Sequence, residues 1–243
     1  MDFPHAKISE HGVFHRSEGD SASTRIFIGK SRSGKSTFLV DQINKLAGLE
    51  KTVEGGIRRP MYDFIIIFSE SLESKPLQSL SRNLDNVVLL SRYLPKVPLL
   101  LKRLNDVSGN RFNFLLVLDD CLGSSGGKSL RAGNFSRLML VFRNSNISTV
   151  VCIQSAKMLD PSSRESTHYL FSFGMKTKDA KRVVNELIFD SALKHVGGLK
   201  EGGRSKTSDE ISREFFEKVG SNILLYDNLA NESSIIPRLD FKK

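Results

Sequence analysis

The sequence of 243 residues has few cysteines and no long apolar run. Its two cysteines, Cys121 and Cys152, lack a Cys-x-x-Cys partner, which argues against a disulfide framework and a zinc ribbon and favours a reducing, intracellular setting. The longest apolar stretches are as short as Phe64–Phe68, whereas a bilayer-spanning helix needs roughly 20 residues. The N-terminus also lacks the apolar segment of a signal peptide. We therefore expect no membrane insertion.

Acidic residues are outnumbered in this chain. It has 36 lysines and arginines against 27 aspartates and glutamates, a formal net charge of +9. Such an excess favours a polyanionic partner, nucleic acid first and a membrane surface second, although solubility alone also explains a basic surface. With 39% hydrophobic residues, the chain can bury a sizeable core without covalent staples.

Strand-like and helix-like patterns alternate from Arg25 onward. Apolar strands are predicted at Ile26–Ile28, Phe64–Phe68, Val87–Leu90, Phe114–Leu118, Ile147–Ile153, Tyr169–Phe173 and Ile223–Tyr226. Helices are predicted at Ser36–Leu46, Pro98–Val107, Phe135–Phe142, Lys178–Leu193 and Ser212–Val219. Residues 50–60, 122–134 and 197–210 are predicted loops. This alternation predicts an α/β fold of βαβ units with a mostly parallel sheet.

A glycine-rich motif follows the first predicted strand. Residues 29–36 read GKSRSGKS and match the Walker A pattern G-x-x-x-x-G-K-[ST]. Glycines let the backbone N–H groups turn inward onto phosphate, the lysine reaches the β- and γ-phosphates, and the serine hydroxyl binds Mg²⁺. The start of the next helix adds a positive dipole. The expected nucleotide-contacting residues are Gly29, Lys30, Ser31, Arg32, Ser33, Gly34, Lys35, Ser36 and Thr37.

Two carboxylates end the apolar strand Phe114–Leu118. Asp119 and Asp120 have the form of a Walker B motif, in which the first binds the Mg²⁺ shell with Ser36 and the second polarises the attacking water. A second acid is typical of a hydrolase, whereas the alternative is a strand capped by turn-forming aspartates. Asp120 also begins a D-x-x-G pattern of GTPases, but no N-K-x-D motif accompanies it, because residues 44–47 read NKLA. ATP and Mg²⁺ are therefore the expected cofactors.

Three further polar residues are candidates for the reaction. Gln154 ends the strand Ile147–Ile153, where an amide can contact the γ-phosphate or its water; the alternative is a polar residue in a turn. Arg143 and Arg164 flank this strand, and either could be an arginine finger that stabilises charge on the γ-phosphoryl group of a neighbouring subunit. The alternative for each arginine is an ordinary surface ion pair.

The order of these motifs resembles a known family. GKSRSGKST is followed by LLVLDD, a glycine-rich loop, VFRNSNIS, the strand ending in Gln154, and DPSSRES. This order is similar to that of the poxvirus-type genome-packaging ATPases of large DNA viruses and virophages, in the FtsK–HerA branch of P-loop ATPases. The resemblance spans roughly residues 24–190. Relatives often carry Gly-Arg-His where this chain has Phe142-Arg143-Asn144, which keeps the arginine but leaves the role of position 144 open.

The resemblance implies a fold, an activity and partners. It implies a RecA-like three-layer P-loop NTPase with helices on both faces of the sheet. Residues 1–22 are polar and without periodicity and are predicted to be a flexible arm, followed by an ATPase domain at 23–226 and a tail at 227–243. The resemblance assigns catalysis to Lys35, Asp120, Gln154, and either Arg143 or Arg164, with Arg143 favoured. It further implies a ring of six or five subunits that translocates double-stranded DNA at a capsid vertex, in the host-cell cytoplasm and within the virion.

Two alternative functions stay open from the sequence. The first is a DNA helicase or segregation ATPase, which shares the chemistry but needs a wedge or anchor that these residues do not suggest. The second is a DNA-binding scaffold that uses ATP only as a switch, against which the Asp119–Asp120 pair argues. The loops at 122–134 and 197–210 carry Lys128, Arg131, Lys200, Arg204 and Lys206, which could grip DNA or be merely solvated.

Overall fold

The structure is a computed structural model that describes residues 22–46, 50–53, 57–121, 142–158, 163, 166–174, 177–201 and 204–237. The predicted arm at 1–22 lies outside these ranges except for Ala22, and so do Arg164, the loop at 122–134 and most of the helix predicted at Phe135–Phe142. No helix within the described ranges is long and apolar enough to cross a membrane.

An eight-stranded sheet forms the centre of the fold, in the order β12-β11-β8-β1-β7-β6-β4-β5. Its strands are β1 (Thr24–Ile28), β4 (Phe64–Ser69), β5 (Val87–Leu90), β6 (Phe114–Asp119), β7 (Ile147–Ile153), β8 (Tyr169–Ser172), β11 (Ile223–Asp227) and β12 (Glu232–Ile236). The six strands from β8 to β5 run parallel, whereas β11 and β12 pair antiparallel at one end. The mostly parallel sheet predicted from the sequence is confirmed.

Helices cover both faces of this sheet. They are α1 (Lys35–Leu46), α2 (Lys75–Asn83), α3 (Lys96–Ser108), α4 (Thr177–Leu187), α5 (Phe189–His195) and α6 (Ser208–Val219). Alternate strand residues face opposite layers: Phe27 packs with α1 and α2, while Ile26 and Ile28 pack with α3, α4, α5 and α6. The predicted three-layer arrangement is confirmed.

Because six strands are parallel, the loops that follow them lie at one edge of the sheet and the loops that precede them lie at the opposite edge. At the carboxyl edge, β1 leads into the glycine-rich loop, and β4, β6 and β7 end in Ser69, Asp119 and Ile153. Because β7 lies between β1 and β6, Gln154 is brought between the glycine-rich loop and the two aspartates. In a parallel sheet, ligands bind outside the carboxyl ends of the strands, so this edge is where a site is expected.

Several predicted elements differ from the structure. Residues 50–60 were expected to be a loop but form an antiparallel hairpin of β2 (Glu50–Val53) and β3 (Ile57–Pro60). Part of the loop expected at 197–210 is a second hairpin of β9 (Lys200–Glu201) and β10 (Arg204–Ser205). Neither hairpin joins the central sheet. Backbone pairing holds them, and their residues lack the apolar alternation that would have indicated a strand.

The helix predicted at Lys178–Leu193 is broken into α4 and α5. The break falls at Ile188, whose N–H donates to Val183 O at 3.2 Å, five residues back, instead of continuing the α-helical pattern. Ile188 is buried, as are Val183 and Val184 before it and Ala192 after it. The break therefore lets both helices turn apolar side chains into one core.

The sheet continues beyond Tyr226, the residue at which the sequence predicted the ATPase domain to end. β12 pairs along the whole of β11, from Asp227 with Glu232 to Ile223 with Ile236. Ile236 is buried in the core. The folded domain thus includes at least residues 24–236, and the segment predicted as a tail supplies an edge strand.

Candidate nucleotide-binding site

The glycine-rich loop is anchored to the strands on either side of β1. The N–H of Gly29 donates to Ile153 O at 3.1 Å, and the N–H of Lys30 donates to Gly174 O at 3.4 Å. The loop closes through the N–H of Ser33, which donates to Lys30 O, and α1 begins with the N–H of Phe38 donating to Gly34 O. These bonds fix the start of α1 beside the ends of β7 and β8.

Two glycines of the loop are required by its geometry. A Cβ at Gly29 would lie 2.8 Å from Ser33 Oγ and 2.9 Å from Phe173 Cβ, which is too close for a side chain. Gly34 has φ +96°, a backbone conformation that residues with a Cβ rarely adopt. The structure thus gives a physical reason for both glycines of the motif.

Lys35 turns back onto the loop that precedes it. Its Nζ donates to Gly29 O at 2.6 Å and to Lys30 O at 3.1 Å. Burial lowers the pKa of Lys35, and the nearby carboxylates of Asp120 and Asp119 oppose that shift. The ammonium group is therefore held in the loop without a salt bridge of its own among the described residues, so a bound phosphate would supply the anion that it lacks.

Asp119 is buried among hydroxyl groups at the carboxyl edge. Its carboxylate accepts hydrogen bonds from Ser36 Oγ at 3.3 Å and from Ser69 Oγ at 3.2 Å, and it is only 4% exposed. Burial raises the pKa of Asp119, while the hydrogen bond from Ser69 opposes this. The structure therefore brings together Ser36 and Asp119, the two predicted metal ligands.

Ser69 belongs to this cluster but was not singled out from the sequence. It ends β4 and pairs directly with Asp119 in the parallel register, and it is fully buried. A polar residue directly after the apolar stretch Phe64–Phe68 was the available signal, but only the register shows that it faces Asp119. Ser69 orients the carboxylate that Ser36 also contacts.

The donor set around Asp119 fits a Mg²⁺ ion. Mg²⁺ binds hard oxygen ligands, commonly one or two protein groups together with water and phosphate oxygens. A buried carboxylate with a raised pKa, next to the hydroxyl of Ser36, supplies such oxygens and forms no salt bridge with another described residue. The cluster thus has oxygen ligands that a divalent cation would use.

We expect that Asp119→Asn raises the thermal stability of the nucleotide-free protein. Burial of the charged carboxylate destabilises the folded state. An amide of the same shape should therefore raise the free energy of unfolding by about 1 kcal/mol, a typical gain for a stabilising substitution. Thermal unfolding of the wild type, Asp119→Asn and the exposed control Asp85→Asn checks this. A lower unfolding midpoint for Asp119→Asn than for both others would contradict it.

Asp120 and Gln154 meet beside this cluster. Gln154 Nε2 donates to Asp120 Oδ2 at 2.7 Å. Asp120 has φ 57°, the left-handed region that is uncommon for residues with a side chain and is often found at functional sites. Its N–H still donates to Cys152 O at 3.2 Å. The turn therefore points the Asp120 carboxylate away from the strand and towards the exposed side chain of Gln154.

The two cysteines near the aspartates are structural. Both are buried, and burial raises the pKa of the Cys121 thiol to about 12 and that of Cys152 well above its usual range. Cys121 Sγ donates to Phe68 O at 3.1 Å, and Cys152 is hydrogen-bonded to Asp119. A thiol is nucleophilic only as a thiolate, and burial disfavours the thiolate form of both cysteines.

Arg143 lies at the opposite edge of the sheet from the glycine-rich loop. It precedes the start of β7, and its Nη1 lies 3.1 Å from Nε2 of His168. Nδ1 of His168 accepts a hydrogen bond from the N–H of Thr24 at 3.1 Å. Burial and the charges of Arg143 and Arg25 lower the pKa of His168, which favours its neutral ring. Arg143 is thus held at the amino edge of the sheet by its contact with His168.

The basic residues of the second predicted loop are largely paired. Arg204 lies 3.2 Å from Glu210, and Lys206 lies 2.6 Å from Glu214. The Lys206 side chain is only 10% exposed and also donates to Val196 O. Arg204 and Lys206 of the segment 197–210 thus have acidic partners within the chain. Lys128 and Arg131 lie outside the described residues.

Comparison with known proteins identifies one protein family and one fold. The family model of the poxvirus A32 protein matches residues 13–196 of this chain. No curated protein matches the sequence significantly.

Solved structures resemble the whole domain. The genome packaging NTPase B204 from Sulfolobus turreted icosahedral virus 2, in complex with AMP, has a TM-score of 0.53 and 14% identity, covering 89% of this chain and 97% of that chain. B204, the DNA-packaging ATPase from Sulfolobus turreted icosahedral virus, has a TM-score of 0.53 and 13% identity, covering 88% and 96%. The cytoplasmic domain of the Type VII secretion ATPase EccC from Thermomonospora curvata has a TM-score of 0.50 and 13% identity, covering 87% and 25%. At these identities the likeness shows the P-loop NTPase fold and confirms that prediction.

Proposed function

Because this chain belongs to the poxvirus A32 protein family, we propose that it is an ATP-driven translocase that packages double-stranded viral DNA into a preformed capsid. The observation that carries the proposal is the set of side chains at the carboxyl edge: Lys35 in the glycine-rich loop, Ser36 against Asp119, and Gln154 against Asp120. The two B204 proteins of the same fold are described as a genome packaging NTPase and a DNA-packaging ATPase, which supports the same assignment here.

Each group at this edge has a place in ATP hydrolysis. The N–H groups at the start of α1 bind the phosphates, helped by the helix dipole, and Lys35 leaves Gly29 O and Lys30 O to contact the β- and γ-phosphates. Ser36 and Asp119 would hold Mg²⁺, and the bound ion would neutralise phosphate charge. Asp120 accepts a proton from water as the water oxygen bonds to the γ-phosphorus. The bond from that phosphorus to the β–γ bridging oxygen breaks, which gives ADP and inorganic phosphate.

Gln154 positions the acid that receives the proton. Its amide donates to Asp120 Oδ2 at 2.7 Å, so Oδ1 is left to accept from water. The left-handed turn at Asp120 directs this carboxylate out of the strand. The pair therefore orients the water at the edge of the sheet where the γ-phosphate would lie.

Asp120→Asn should bind ATP normally but hydrolyse it at least about 100-fold more slowly, since a positioned general base contributes roughly 10²–10⁴-fold. An amide has the size of the carboxylate and cannot take the proton. ATP affinity by calorimetry and steady-state phosphate release should be compared for the wild type, Asp120→Asn and Asp85→Asn. A variant that hydrolyses at the rate of the wild type would remove Asp120 from this role.

The proposed active form is a ring of six or five subunits. Arg143 precedes β7 at the amino edge, while the glycine-rich loop follows β1 at the carboxyl edge, so Arg143 cannot serve its own subunit. A ring places the amino edge of one subunit against the carboxyl edge of the next. Arg143 would then bind the γ-phosphoryl group of the neighbour, and we prefer it to Arg164 because the resemblance to the packaging ATPases favours this position.

The proposed partners are double-stranded DNA and the capsid vertex, in the host-cell cytoplasm where capsids are filled. The net charge of +9 suits DNA, because lysine and arginine contacts with phosphate supply most of the affinity that is independent of sequence.

A packaging assay tests the function directly. Purified empty capsids, double-stranded DNA and ATP are mixed with the wild type or with Asp120→Asn, and DNA protected from nuclease is measured. Protection only with the wild type and ATP supports packaging. Strand separation without protection would indicate a helicase, and DNA binding without hydrolysis would indicate a scaffold switched by ATP.

A further inference from the structure

Helix α3 presents large apolar side chains to solvent. Leu100 is 64% exposed, Leu104 is 41% exposed and Val107 is 76% exposed. Their spacing of four and three residues places them in one line along the helix. Pro98 and Asn105 on the other side of the helix are buried, and Val97 and Leu101 pack against the core. A helix that is apolar on both sides is normally covered on both sides, so this outer face is suited to a partner.

Basic residues border this outer face. Lys96 and Arg103 lie on α3, and Arg111 follows it shortly after. All three are exposed, and within the part of the chain that the structure describes they form no ion pair. We call the surface formed by Lys96, Leu99, Leu100, Arg103, Leu104, Val107 and Arg111 the α3 face.

A complementary acidic surface lies at the carboxyl edge. Glu70 directly follows Ser69 at the end of β4, and Glu73 lies in the turn before α2. Both are exposed, and neither forms an ion pair with another described residue. Ser69 contacts Asp119, so this acidic surface borders the site proposed to bind ATP. Opposite charges on two separate surfaces favour their association and reject like-charged alternatives.

The α3 face is tied to the turn that carries Arg143. Asn105 is fully buried at the end of α3, and its Nδ2 donates to Ser145 O at 2.6 Å and to Phe112 O at 2.9 Å. Nδ2 of Asn146 donates to Asn110 O at 2.9 Å. These bonds hold the helix and the Arg143 turn as one unit, so a partner bound to α3 is also positioned relative to Arg143.

We propose that the α3 face binds a second copy of this chain over its Glu70–Glu73 surface, and so delivers Arg143 to the ATP site of that copy. The inference rests on the proposed ring and names the surface that builds it. Because the two surfaces are at different places on the molecule, the contact is head-to-tail, the type that closes into rings. Each site is then incomplete without its neighbour.

Two charged substitutions on α3 test the apolar part of the contact. Leu100→Glu with Val107→Glu should fold and bind ATP, because both side chains are exposed, but should shift the mass from ring to monomer. The ATPase rate should fall about 10³-fold, as expected without an arginine finger. Leu229→Glu is the control, since Leu229 is 73% exposed in the turn between β11 and β12. Mass by sedimentation, ATP affinity and ATPase rate are measured on the full chain.

A charge reversal tests the electrostatic part. Lys96→Glu with Arg103→Glu should weaken assembly at least about tenfold, and adding Glu70→Lys with Glu73→Lys to the same chain should restore it. Failure of both variant sets to change the mass of the wild-type ring would overturn the inference. A wild type that stays monomeric with ATP and DNA would also overturn it. Variants that assemble but fail to bind capsids or vesicles would overturn it too, because they would show that α3 binds those partners instead. If the wild type assembles through α3 and hydrolyses no ATP, the proposed function fails while the interface stands.

Discussion

Lys35→Ala should abolish measurable ATP turnover. We expect the ATPase rate to fall at least about 100-fold, because removing one charged donor from a reaction centre has an effect of this scale. Lys35 Nζ now contacts Gly29 O and Lys30 O, and it is the cation nearest to where the β- and γ-phosphates would bind. Alanine removes that charge and leaves the loop anchored through Gly29 and Lys30 to β7 and β8.

The loss should concern catalysis rather than folding. Burial lowers the pKa of Lys35, which means that the ammonium is held at some cost in the nucleotide-free state. Lys45→Ala is the control, because Lys45 is an exposed lysine of the same helix that pairs with Asp41 at 3.0 Å. Steady-state phosphate release and thermal unfolding are measured for both. A Lys35→Ala protein that hydrolyses ATP at the control rate would refute the phosphate-loop assignment.

Arg143→Ala should lower the ATPase rate by about 10³-fold, the lower end of the range for arginine fingers, while leaving ATP affinity nearly unchanged. Arg143 is at the amino edge, so the defect must appear in the site of the neighbouring subunit. Arg82→Ala, an exposed arginine on α2, should retain the rate of the wild type.

Mixing two inactive variants shows whether Arg143 acts between subunits. Gln154→Ala subunits have a defective site but still supply Arg143, and Arg143→Ala subunits have an intact site. Together they should recover part of the wild-type rate, because some sites combine an intact Gln154 with an Arg143 from the neighbour. A mixture no more active than the sum of its parts, or an Arg143→Ala protein that is fully active alone, would rule out the finger.

Most residues of the candidate site could be predicted from the sequence, because its motifs are made of residues that are adjacent in the chain. The residues of the glycine-rich loop are consecutive, and Asp119 and Asp120 directly end an apolar strand. Parallel strands bring such ends to one edge whatever the detailed packing. Ser69 shows the limit of this reasoning, because its contact with Asp119 depends on the register between β4 and β6, which one sequence does not fix.

The rest of the fold depended on long-range contacts. β12 has a polar sequence but is paired along β11, and the two short hairpins pair through their backbones. The break at Ile188 appears only because both α4 and α5 bury residues in one core. The sequence predicted a helix at Pro98–Val107, but it did not show that Leu100 and Val107 would be more than half exposed. These residues belong to the face proposed to bind a second copy.

The most direct test of the central claim is the ATPase rate of the purified protein with and without double-stranded DNA, with particle mass measured by light scattering in the same samples. We expect hydrolysis that DNA stimulates, in a particle of five or six subunits, and loss of both stimulation and hydrolysis in Asp120→Asn. A monomer that hydrolyses no ATP, with DNA present and with capsids added, would contradict it.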